Sequence, residues 1–280
     1  MKTMKWMLAF AAFAVAAVSC GQKKAEAPQK KVLVIYYSQT SNTKKVAQEI
    51  ATKTGADVEE IVAVNPYNGD FQATIGRCQQ EREQGITPEI NPIAANLADY
   101  DTIFIGYPVW FGTYAPPMAT FLKQVDLSGK KIVPFCTFGS GGLDSSVKDL
   151  AKAQPNAEIL SGYGVRAARM AAVPQEVDQF LKAGGFIEGE FTKLDAFSEP
   201  QPATEDQAAI FDKAVGDYPM ISAKATMVAS RAVPGGTEYL FTAVDKPRPG
   251  APAGPAPAGE IKVYVLALDG EVPVFTQVVR

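Results

Sequence analysis

Ser38-Gln39-Thr40-Ser41-Asn42-Thr43 follows an apolar run and leads straight into a helical pattern. The first turn of a helix presents N–H groups with no intrahelical acceptor and a positive partial charge, and hydroxyls along the approach add further donors. Such a segment can cradle a phosphate; the plainer alternative is that Ser and Thr only cap the helix. A second segment, Gly106-Tyr107-Pro108-Val109-Trp110-Phe111-Gly112-Thr113-Tyr114-Ala115-Pro116-Pro117, gathers aromatics just after another apolar run. Rings placed there can cover a planar ligand, or can simply pack on a neighbouring helix. In a third segment, Thr137-Phe138-Gly139-Ser140-Gly141-Gly142-Leu143, small residues let backbone N–H and C=O groups approach the edge of a heterocycle, or merely turn the chain.

For these segments to act together, the elements carrying them must bring them to one edge. Near-continuous apolar runs at 32–37, 58–64, 102–109, 132–138 and 159–165 have the pattern of parallel strands buried on both faces. Helical patterns at 43–54, 117–125, 145–153 and 175–183, with a weaker one at 70–84, alternate with them. Five βα units in sequence predict an α/β domain with a five-stranded doubly wound parallel sheet of order 2-1-3-4-5. In such a sheet ligands sit beyond the C-terminal strand ends. The three polar or aromatic segments all leave those ends.

At the same three segments the sequence resembles the flavodoxin family, especially its exported bacterial branch, over residues 31–186. The family's hydroxyl-rich phosphate loop corresponds to Ser38 through Thr43, its Gly-Tyr-Pro-x-Trp-x-Gly-Thr segment to Gly106 through Thr113, and its Gly/Ser-rich third loop to Gly139 through Ser145. The resemblance implies bound flavin mononucleotide (FMN). By the same resemblance Ser38, Thr40, Ser41, Asn42 and Thr43 hold the phosphate. Pro108, Val109, Trp110, Phe111, Gly112 and Thr113 line the isoalloxazine. Thr137, Phe138, Gly139, Ser140, Gly141 and Gly142 meet its polar edge through backbone. Phe111 stands where relatives often carry Trp, which leaves open which ring stacks on the flavin.

Composition narrows the remaining chemistry. With 280 residues, 47% of them apolar, the chain can fold one full domain and a smaller one. A net charge of -3 with no basic block argues against a nucleic-acid partner. Histidine is absent, which removes the commonest metal ligand and the commonest general base, so redox chemistry must come mainly from a cofactor. Cys20, Cys78 and Cys136 form no Cys-x-x-Cys pair, so no zinc site is expected. Cys78 and Cys136 fall in a helical and a strand pattern and read as packed thiols, a disulfide between them being the alternative.

The two ends of the chain read differently from its middle. Lys2 and Lys5 precede an apolar stretch from Trp6 to Val18, of signal-peptide length. It ends in Ala17-Val18-Ser19-Cys20-Gly21, which resembles a bacterial lipobox and implies a lipid on Cys20; ordinary secretion is the alternative. Residues 1–20 are thus expected to be the signal segment and 21–30 a tether, on an exported envelope lipoprotein facing the periplasm. Residues 187–203, with Pro200 and Pro202, read as a linker. Residues 204–280 follow as a small α+β domain: a helix at 205–215 and strands at 224–233, 237–244, 261–268 and 273–279, with a Pro/Gly/Ala-rich mobile loop at 247–259. Ala232-Val233-Pro234-Gly235-Gly236-Thr237 resembles the inhibitory hairpin of cystatins, but Ala232 replaces the Gln and Pro234 a Val, which favours a packing or binding module over a protease inhibitor. The expectation is an FMN-binding electron-transfer protein tethered to the membrane, exchanging electrons with a redox partner protein or a small-molecule donor or acceptor. The competing expectation is a binding module, or protease-inhibitor relative, whose flavin site is vestigial.

Overall fold

Successive side chains of a strand face opposite ways, and in Val32–Tyr36 (β1) both sets are buried. Leu33 and Ile35 enter one core while Val34 and Tyr36 enter another. The computed structural model describes residues 31–68, 70–216, 218–245 and 259–280. The expected signal segment, Cys20 and tether lie outside the described residues, as does the Pro/Gly/Ala-rich stretch 247–258.

From β1 the chain runs through α1 (Asn42–Thr54), β2 (Asp57–Glu60), α2 (Phe71–Gln84), β3 (Thr102–Trp110), β4 (Thr113–Tyr114), α3 (Pro116–Gln124), β5 (Lys131–Phe138), α4 (Leu143–Ala153), β6 (Glu158–Ile159), β7 (Tyr163–Arg166) and α5 (Val173–Ala183). Parallel pairing sets the order β2-β1-β3-β5-β6, with β7 also on β5. This is the doubly wound order expected from the βα pattern. Val46 and Ile50 of α1 and Val177 and Leu181 of α5 close one face of the sheet; Met118, Phe121 and Leu122 of α3 and Leu150 of α4 close the other.

The run at 159–165 is two strands rather than one. Pro134 in β5 has no N–H to give a neighbour, and beside it the chain bulges: Ile132 pairs with Ile159 and Phe135 with Tyr163. Two residues of β5 therefore face three of the partner, and a Cβ at Gly162 would stand 2.8 Å from the Pro134 carbonyl oxygen. The run at 58–64 is also shorter than its apolar residues suggest. As an edge strand β2 is incompletely covered, leaving Val58, Val62 and Val64 exposed, and only Ile61 and Ala63 turn inward. Cys78 and Cys136 are both free and buried.

The second unit is an antiparallel sheet. It comprises β8 (Gln201–Pro202), α6 (Glu205–Val215), β9 (Ala223–Val233), β10 (Gly236–Asp245), β11 (Gly259–Leu268) and β12 (Val274–Val279), in the order β12-β11-β10-β9-β8. Thr204 opens α6 with a reciprocal capping box to Gln207. The helix lays Phe211 on Phe241, ring centroids 5.3 Å apart, over Val263, Val265 and Phe275. The stretch read as a linker is pinned along this sheet. Ser198 N–H donates to the Ser230 carbonyl at 2.9 Å, Ala203 N–H to the Thr226 carbonyl at 3.1 Å, and Pro202 lies in β8.

Candidate functional site

The phosphate-type segment sits where β1 ends and α1 begins. Ser41 is the residue before the helix, in the left-handed region at φ 64°, and its side chain makes no capping bond. Capping therefore does not account for these hydroxyls. Thr40 and Ser41 are exposed, Asn42 Nδ2 reaches Thr40 Oγ1 at 3.5 Å, and Lys44 is committed to Glu60 at 2.9 Å. Ser38 Oγ is buried with no hydrogen-bond partner. A buried hydroxyl left unpaired costs about 1–3 kcal/mol, and buried polar atoms of this kind are rare enough to mark a place where a ligand oxygen belongs. Neutral donors facing a helix N-terminus suit an anion.

Thr43 departs from the expected role. Its side chain is buried and its Oγ1 lies 2.9 Å from Thr137 Oγ1, so it ties the first segment to the end of β5. Only the hydrogen that this pair leaves unshared is open to a ligand.

The aromatic segment is a tight hairpin. β3 continues through Trp110 and folds back on β4, with Val109 opposite Tyr114 and Trp110 opposite Thr113. The two turn residues, Phe111 at φ 53° and Gly112 at φ 81°, are both left-handed, as a two-residue hairpin of matching twist requires. For Phe this conformation is strained by about 1–2 kcal/mol. Trp110 is half-buried, meeting Tyr67 edge-on at 5.2 Å and Tyr37 at 6.0 Å, and Arg82 lies 5.3 Å from the Phe111 ring. The packing alternative thus describes one side of Trp110. Lys152, and after it Thr113, hold the Asp149 carboxyl below its ordinary range, so the Thr113 hydroxyl faces α4.

Tyr37 and Tyr67 were not singled out in the sequence. Gln39 Nε2 donates to the Tyr67 carbonyl at 3.1 Å and to Thr74 Oγ1 at 2.8 Å, which draws the segment after β2 against the phosphate-type segment. Tyr67 donates to Glu81 at 2.6 Å beneath the Arg77 guanidinium, 3.7 Å from its ring. Burial raises the Tyr67 and Tyr37 phenols well above their ordinary range, so both stay protonated.

The third segment closes on the second. Ser145 Oγ donates to the Gly112 carbonyl at 2.5 Å, and a Cβ at Gly142, whose φ is 114°, would stand 2.6 Å from Val109 Cγ1. Thr137 and Phe138 are buried at the strand end, and Gly139, Ser140, Gly141 and Gly142 lead into α4. The three segments therefore meet at one edge of the sheet, the first and the second each tied to the third by a hydrogen bond. A cavity of about 590 Å³ lies elsewhere, lined by Leu122, Lys123, Ala153 and Gln154 near the C-terminal ends of α3 and α4. Of the three segments only Tyr114, at the far end of the second, reaches it. Among the described residues no cluster of His, Cys, Asp or Glu could hold a metal ion, and no helix is long and apolar enough to cross a membrane.

Several solved structures are similar to this chain. A protein from Bacteroides eggerthii described as a candidate flavoprotein is 27% identical, with a TM-score of 0.49 over 55% of this chain and 96% of its own. One from Bacteroides uniformis, described in the same way, is 28% identical, with a TM-score of 0.48 over 53% of this chain and 98% of its own. A flavoprotein from Lactobacillus acidophilus in complex with FMN is 25% identical, with a TM-score of 0.43 over 48% of this chain and 93% of its own. The flavodoxin family model matches residues 31–177, from the lysine before β1 into α5. That stretch is more than half of the 280 residues and holds all three segments, and the chain belongs to the flavodoxin family.

Proposed function

We propose that this protein binds FMN at the three-segment edge and serves as an electron-transfer protein tethered to the bacterial envelope through Cys20. The observation that carries the proposal is Ser38 Oγ, buried and unpartnered beside a helix start whose hydroxyls do not cap it. A phosphate oxygen supplies the acceptor that this hydroxyl lacks. Ser38, Thr40, Ser41 and the first N–H groups of α1 hold the phosphate, and the helix N-terminus balances its charge without a lysine. The β3–β4 hairpin carries Trp110 and Phe111 to the ring, with Tyr37 and Tyr67 behind Trp110 to keep it in place and keep water out. The small residues of the third segment meet the polar edge of the ring. When bound, the cofactor supplies the electron transfer, and the protein supplies position and electrostatics. The second domain, whose hairpin sequence resembles that of the cystatins, is read as a packing or binding module rather than a protease inhibitor.

The test is titration of the mature protein with FMN and with riboflavin, alongside a visible spectrum of protein extracted from its native membrane. The expected result is one FMN per chain, a flavin spectrum on extraction, and clearly weaker riboflavin binding. Equal affinity for the two flavins would remove the phosphate assignment. No binding by folded protein would overturn the proposal in favour of a binding module with a vestigial site.

A further inference from the structure

The two domains meet on the third segment. Arg166, at the end of β7, is buried and donates from Nε to the Gly139 carbonyl at 2.8 Å and from Nη1 to the Phe275 carbonyl of β12 at 2.9 Å. Its guanidinium carbon lies 3.3 Å from the Phe275 ring centroid and 5.2 Å from that of Tyr218. One residue further on, the Ser140 carbonyl accepts from Val278 N–H of β12 at 2.7 Å. The contact is tight, since a Cβ at Gly141 would stand 2.1 Å from the Val278 carbonyl oxygen.

A trans peptide points its carbonyl and the following N–H in opposite directions, and the described chain holds no cis bonds. With the Gly139 carbonyl held by Arg166 and the Ser140 carbonyl held by Val278, the N–H groups of Ser140 and Gly141 face away from these holders. Neither N–H has an acceptor among the described residues. Arg166 has no carboxylate partner there either.

We propose that the second domain is a working part of the cofactor site. Through Arg166 and β12 it holds two carbonyls of the third segment, so that the N–H groups of Ser140 and Gly141 are presented to the polar edge of the flavin ring. Arg166 is then a positioning residue, and its uncompensated charge stands behind the same segment. The inference rests on the FMN reading given above, and it adds that the site is incomplete without the second domain.

The test uses the full chain with Arg166→Met, Arg166→Lys and Gly141→Ala, the last wedging the segment off β12 from the other side of the contact. Each variant is first checked for cooperative thermal unfolding without flavin; FMN and riboflavin affinity and the flavin midpoint potential are then measured. Arg166→Met and Gly141→Ala should weaken FMN and riboflavin by the same factor, about tenfold, because the ring edge is common to both ligands. The midpoint potential should fall in Arg166→Met and be partly restored in Arg166→Lys. If wild-type protein binds FMN while both disruptive variants keep affinity and potential unchanged, this inference alone is overturned. If wild-type protein binds no flavin, the cofactor reading fails and takes this inference with it.

Discussion

Ser38 carries a hydroxyl that folding has buried without a partner, so stability and binding make opposite demands on it. Ser38→Ala removes the unpaired group, and the unfolding free energy of flavin-free protein should rise by about 1 kcal/mol. FMN affinity should fall about tenfold, equivalent to roughly 1.4 kcal/mol, with riboflavin unaffected. Urea denaturation and paired titrations check both arms, and a loss of stability would show that the hydroxyl has a partner after all. Cys78 bears on pH. Burial, and after it the Glu81 carboxylate, push its thiol from its ordinary 9.0 up to about 11. As pH rises past about 9 the unfolded chain loses a proton that the folded chain keeps. The stability linked to Cys78 is therefore whole below pH 9 and declines between 9 and 11. Unfolding midpoints from pH 7 to 10.5 should drop, and less steeply in Cys78→Ala; the raised Tyr37 and Tyr67 phenols keep the slope from vanishing. An identical slope in the variant would rule Cys78 out as its source.

Thr43 and Thr137 join α1 to the end of β5 through hydroxyls alone. Thr43→Val leaves the Thr137 hydroxyl buried and unpaired, at a cost of about 1–3 kcal/mol, whereas replacing both by Val exchanges the pair for apolar groups of the same shape and should cost less than the single change. A double-mutant cycle decides this, and additive losses would mean the two hydroxyls act independently. The same pair marks the limit of what the sequence discloses. Strand order, and with it the gathering of three segments at one edge, was legible because apolar runs alternating with helical patterns admit few right-handed arrangements. The partnership of Thr43 with a residue 94 positions away was not, since nothing local distinguishes a phosphate-facing Thr from one that turns inward. The β3–β4 hairpin is hidden in the sequence because its turn places Phe, rather than Gly or Asn, in a left-handed position. The fifth strand was read as continuous because an apolar run does not reveal that Pro134 lies opposite it. Tyr37 and Tyr67 are single aromatics far apart in the sequence, and only the folded chain, through the Gln39 bonds to Tyr67 and Thr74, brings them together.

At the scale of the whole molecule, the proposed anchor has a direct test. Cys20→Ser should move the protein from the membrane to the soluble fraction, as seen by fractionation and immunoblotting, and unchanged partitioning would remove the lipoprotein reading. A single acyl chain anchors weakly, so retention requires the multiply acylated cysteine that the lipobox resemblance implies. The antiparallel sheet has a further consequence. Any open sheet has two outer strands whose unpaired N–H and C=O groups invite another chain to pair. Here residues 198–203 run beside β9, bringing Pro200 and Pro202 to that side, while among the described residues β12 is held on its outer side where Val278 and Phe275 meet Ser140 and Arg166. Loosening that contact would uncover a strand able to recruit its counterpart on a second copy. Arg166→Met should therefore form dimers or larger species with rising concentration under conditions where wild-type protein does not, as measured by light scattering. The residue that orders the third segment would then also keep one molecule from adhering to the next.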